Sequence, residues 1–142
     1  MLTPDPAAFE SRRLLAAPLA GARRLTLDSF VGERRRVELE REGSGWRSRD
    51  GALSPVAARS LAARLAALEP LDRIWGRAGA NFPGPSNLSI LSVEWDGAHG
   101  GSLGIHDFLD PTRRFGRITG RKAIYIFAAA DIDSLVALLT GH

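Results

Sequence analysis

Cysteine is absent from the 142 residues, which excludes disulfides, thiolate metal sites and cysteine nucleophiles together. Lysine is nearly absent too: of 19 basic residues only Lys122 is a lysine, and the arginines are interspersed with 16 carboxylates. A net charge of +3 and a pI near 10.5 would alone suggest a nucleic-acid binder. The interspersion argues against a dedicated nucleic-acid role, because phosphate binding needs basic residues gathered on one face. Arginine bias beside abundant Ala, Gly and Leu fits a GC-rich coding background instead. Aromatics are few, with one Tyr, three Trp and six Phe, so most are needed for a core. Long hydrophobic runs are also missing. Leu14 to Ala20, the best apolar stretch near the start, is interrupted by Pro18 and preceded by Arg12 and Arg13. No stretch approaches the roughly 20 apolar residues of a membrane span, so neither signal peptide nor anchor is expected in these residues.

What remains is an ordinary globular composition, 44% apolar and 25% charged, at a length suited to one domain, 1–142. Residues 1–22 read as a lead-in segment. In 23–75, Leu25 and Leu27 alternate with Thr26 and Asp28, the period of a half-buried strand. Val31-Gly32-Glu33 turns the chain into a second strand, Arg34 to Glu42, with Val37 and Leu39 inward. Gly43-Ser44-Gly45 turns it again into Trp46-Arg47-Ser48. Ser54 is a natural N-cap with Pro55 in the first helical position, and Leu61, Leu65 and Leu68 follow at helical spacing until Pro70.

Residues 76–87 form a Gly/Pro-rich surface loop, and 88–142 repeat the plan. Leu88 to Trp95 and Ser102 to Phe108 predict a hairpin across Asp96-Gly97. Arg113 to Thr119 is a third strand, and Lys122 to Ala128, apolar on both faces, predicts a covered fourth. Asp131 is expected to cap a final helix carrying Ile132, Leu135, Val136 and Leu139. The expected fold is therefore α+β: two antiparallel β-meander-plus-helix halves, related as a pseudo-repeat, with helices packed on the sheet.

Chemistry is harder to find. Asp96, His99, His106, Asp107 and Asp110 gather around the second hairpin, but His106 and Asp107 are strand neighbours and point to opposite faces. No G-x-S-x-G elbow is present, and Ser44 is explained by its hairpin. Gly97, Gly100, Gly101 and Gly104 join two strands, without the helix N-terminus that a phosphate cradle requires. Arg113, Arg114, Phe115, Gly116 and Arg117 offer a faint version of a base-stacking sheet surface. No catalytic, metal or cofactor residues are assigned.

Several segments resemble a bacterial domain-of-unknown-function family found near gliding-motility-type ABC transporter components. They are Phe9 to Leu15 before the Arg24–Leu27 strand, Glu42-Gly43-Ser44-Gly45-Trp46, and Leu53-Ser54-Pro55 leading to Leu65-Ala66-Ala67-Leu68. Ser102 to Ile105 and Lys122 to Phe127 continue the match. The resemblance implies a β-rich α+β module, often tethered by a membrane segment, with its folded part outside the cytoplasm. No such segment is seen here, and a chain complete as given would be cytoplasmic. The family has no catalytic motif to carry over.

The expectation is a non-enzymatic interaction or scaffold module with a protein partner, as an accessory part of a membrane-associated transport or motility complex. Phe82 on the 76–87 loop and Arg113, Arg114 and Arg117 are the candidate partner contacts. The alternative is a small-ligand or nucleic-acid-binding domain using the Arg113–Arg117 strand.

Overall fold

The structure is a computed structural model that describes residues 13–74, 88–98, 100–107 and 111–140. After a short helix α1 (Ala16–Ala20), the chain forms β1 (Arg24–Ser29), β2 (Arg35–Glu42) and β3 (Gly45–Ser48). Helix α2 (Pro55–Ala67) and a three-residue strand β4 (Asp72–Ile74) follow. Strands β5 (Ser89–Trp95), β6 (Gly101–His106), β7 (Arg113–Ile118) and β8 (Ile124–Ala128) lead into helix α3 (Ala129–Thr140).

Among the described residues all of the strands join one 8-stranded sheet in the order β3-β2-β1-β5-β6-β7-β8-β4, and each neighbouring pair is antiparallel. The centre is the pairing of β1 with β5, where Leu25 faces Trp95 and Leu27 faces Val93. Outward from that junction each half lays down its first three strands in sequence order.

One face of the sheet carries the core. Leu25, Leu27, Val37, Leu39, Val93, Leu103 and Ile105 are fully buried there, as their period-2 spacing requires. Helix α2 turns Ala58, Leu61, Ala62 and Leu65 inward, and α3 turns Ile132, Leu135 and Leu139 inward. The alanines let α2 come close to β3, while α3 reaches β1, β2, β7 and β8. Each fully buried Leu or Ile stabilises the fold by about 1.5–3 kcal/mol relative to exposure.

Gly116 exists for this packing: a Cβ there would meet Phe127 Cε2 at 2.5 Å and Leu103 Cδ1 at 3.1 Å. β8 is buried on both faces: Tyr125 and Phe127 join the main core, and Ile124 and Ile126 pack with Phe115 and Ile74 in a second cluster on the opposite face.

The capped α2 begins where the Ser54-Pro55 pair requires, with the Ser54 hydroxyl accepting the Ala57 N–H at 3.1 Å. Three details differ from the sequence reading. α2 ends at Ala67, ahead of Leu68 and Pro70. α3 starts at Ala129 directly from β8, so Asp131 sits in its first turn and does not cap it. β4 has no counterpart in the sequence reading, since three residues are too few for a period to register. It crosses to the far edge of the sheet and pairs with β8, Asp72 facing Ile126 and Ile74 facing Ile124.

Candidate functional site

The sequence candidates do not form one patch. Strand alternation divides the β7 arginines: Arg114 shares a face with Gly116 and Ile118, while Arg113 and Arg117 share the opposite face with Phe115. Arg114 is held against the helix layer, donating to the Pro111 and Arg113 carbonyls and lying 3.8 Å from Asp133 of α3. Phe82, His99 and Asp110 lie outside the described residues.

The polar groups of the second hairpin serve the backbone. The Asp96 carboxylate accepts the Arg23 N–H at 2.8 Å and the Arg24 N–H at 3.0 Å, which fixes the entry to β1. Those hydrogen bonds, from Arg24 first and then Arg23, hold its carboxyl below the usual range. Asp107 accepts the Leu88 N–H at 2.7 Å and returns its own N–H to the Leu88 carbonyl, closing the end of the β5–β6 pair. His106 lies 3.5 Å from the Ser89 hydroxyl. Burial pushes its pKa down against a smaller upward pull from Asp107. Among the described residues, no three His, Asp or Glu come together as metal ligands would.

A different region has the character of a binding surface. Where β1 ends, the chain turns at Phe30 and Val31, which remain 36% and 52% exposed. The Phe30 N–H bonds the Ile90 carbonyl at 3.0 Å, which sets this turn beside the start of β5, where Leu88 is 67% exposed. Large apolar residues thus collect at one end of the sheet. Beside them a groove of about 830 Å³ opens between the β1–β2 turn and the C-terminal half of α3. Val31, Ala52, Val136 and Ala137 supply its apolar surface, and Arg34, Arg35 and Arg36 line it together with the carboxylates Glu33 and Asp133.

On the other face of the sheet behind this turn lies Asp28, only 5% exposed, whose carboxylate takes a two-pronged contact from Arg36 at 3.0 and 3.3 Å. That hydrogen bond and the charge of Asp28 raise the Arg36 pKa further. Arg34 also approaches Asp28, at 3.6 Å, and lies over the Phe30 ring at 5.2 Å. Arg35 donates to the Ala52 carbonyl at 3.2 Å, bracing the loop on the other side. Strand alternation puts Arg35 on the α3 side with Ser29 and the Asp28–Arg36 pair on the opposite face, so the groove has one guanidinium, that of Arg35, braced on its own side and an apolar surface open to solvent. In the sequence Val31-Gly32-Glu33 reads only as a turn; a large apolar Val31 inside it, directly after Phe30, was the available signal. The size lies within the range of small-molecule and peptide pockets.

No protein-family model matches the chain, and no curated protein or solved structure matches it either.

Proposed function

We propose that this domain is a non-enzymatic interaction module that seats an apolar side chain of a protein partner in the groove between the β1–β2 turn and α3. The observation that supports it is the exposure of Phe30 and Val31 beside a groove whose Arg35 is already braced by the Ala52 carbonyl. Exposed apolar side chains gathered at one place, edged by polar groups, are typical of protein-binding surfaces. Arg34, with its exposed guanidinium, adds planar donors for carboxylates or carbonyls of the partner. The resemblance noted in the sequence suggests the setting, an accessory part of a membrane-associated ABC-type transport or motility complex.

The test selects binding peptides from a displayed library and measures them against Val31→Asp and against Leu71→Asp, an exposed apolar position on another part of the surface. Val31→Asp is expected to weaken binding by about tenfold or more, since a carboxylate would have to be desolvated in the groove, whereas Leu71→Asp leaves it unchanged. Peptides insensitive to Val31→Asp, or turnover of a substrate that a single polar substitution abolishes, would overturn the reading.

A further inference from the structure

Among the described residues the sheet ends on one side at β3, and the main-chain groups of that edge have a definite direction. Arg49 donates its N–H to the Glu38 carbonyl at 2.9 Å, so Arg49, Arg47 and Gly45 turn their backbone groups toward β2. By alternation, Trp46 and Ser48 turn their N–H and C=O away from it. No backbone partner takes them up among the described residues.

Beside this edge runs a groove of about 680 Å³, walled by Gly51, Leu53, Pro55 and Arg59. It continues past Trp46 into a second depression of about 440 Å³ that shares Ser44, Gly45, Trp46 and Arg59 and is lined by α2 alanines. The carboxylates nearby are engaged, Asp50 by the Ser48 hydroxyl at 2.8 Å and the Ala52 N–H at 3.0 Å. Arg41 stacks on Trp46 at 4.5 Å and donates to the Ala22 and Leu19 carbonyls. Arg59 donates to the Pro55 carbonyl at 3.3 Å. Neither guanidinium has a carboxylate partner among the described residues. Glu42 is met by Arg47 at 3.3 Å.

From this juxtaposition we propose that the β3 edge accepts an extended acidic segment of a partner protein as an added antiparallel strand. Its main chain pairs with Trp46 and Ser48, and its inward side chains are carboxylates facing Arg59. Main-chain bonds supply affinity in this mode of recognition, and alternate side chains supply the selection. A second copy of this chain is a poorer occupant. The register that would pair Trp46 and Ser48 with their counterparts in a two-fold arrangement sets Arg47 opposite Arg47, and like charges directly opposite destabilise a sheet. The site is separate from the Val31 groove, so the two can fail independently.

The experiment titrates a capped heptapeptide of alternating threonine and glutamate into the isotope-labelled protein and follows the Trp46 and Ser48 amide signals. Saturable shifts at those amides are expected, with affinity about tenfold weaker for the threonine–lysine counterpart. Ser48→Pro removes an outward N–H without touching the β2 ladder, and is expected to abolish binding. Ser48→Ala, which loses the same hydroxyl bond to Asp50 but keeps the N–H, is expected to bind normally. A peptide N-methylated on its edge-facing nitrogens, tested on the unaltered protein, is expected not to bind. Val31→Asp should leave this binding unchanged. No saturable shift at millimolar peptide, or equal binding by Ser48→Pro or by the N-methylated peptide, overturns the proposal. So does a concentration-dependent dimer that Ser48→Pro dissolves, which would give the edge to a second copy.

Discussion

Ser29 continues the inward row of Leu25 and Leu27, fully buried, between Arg35 on β2 and Leu91 on β5. Among the described residues its hydroxyl finds no hydrogen-bond partner, in contrast to its neighbour Asp28, whose carboxylate is engaged by arginines. A desolvated hydroxyl left unpaired opposes folding. Ser29→Ala is therefore expected to stabilise the domain by about 1 kcal/mol, because the methyl replaces a group that costs roughly that much to bury. Chemical denaturation checks it, and a lower midpoint would mean that the hydroxyl is paired in solution. Arg114 shows how far residue type alone can mislead. It reads as a surface contact in a basic strand, yet its guanidinium is largely covered, and strand parity sends it to the face opposite Arg113 and Arg117.

Among the elements, α2 is the one whose formation is most local. Ser54 supplies the missing acceptor for the Ala57 N–H, Pro55 occupies a position that needs no donor, and the Ala/Leu stripe faces β3 and α3. Ser54→Ala should lower stability by about 1 kcal/mol without altering the β1–β5 centre, read as a reduced thermal midpoint with unchanged strand content. An unchanged midpoint would mean that tertiary contacts carry this helix end alone. α3 illustrates the opposite case. Asp131 has the residue type of a cap, but the helix grows straight out of β8, and the direction of that strand sets its start at Ala129.

For the whole molecule, the decisive feature is that each half depends on the other. β1 and β5 form the middle of the sheet, and β4, from the first half, closes the edge of the second by pairing with β8. Separate chains of residues 1–87 and 88–142 would each leave a central strand with an open edge and a bare apolar face. Each is expected to lack a cooperative unfolding transition alone, and mixing the two should restore one. A cooperative melt of 88–142 by itself would show that the second half holds its own core.

The α+β class, the strands β1, β2, β3, β5, β6, β7 and β8, and the start of α2 were all determined by the sequence. Each rests on a period, a turn residue or a cap within a few positions along the chain. Composition likewise settled that no cysteine chemistry operates here. Only the tertiary structure decided where β4 goes, which face receives each β7 arginine, and that Phe30 and Val31 stay open beside a groove while Phe127 and Tyr125 are sealed. Local patterns say that a side chain is apolar and which neighbours share its face. What comes to cover it depends on contacts between segments far apart in the chain, and no local period encodes those.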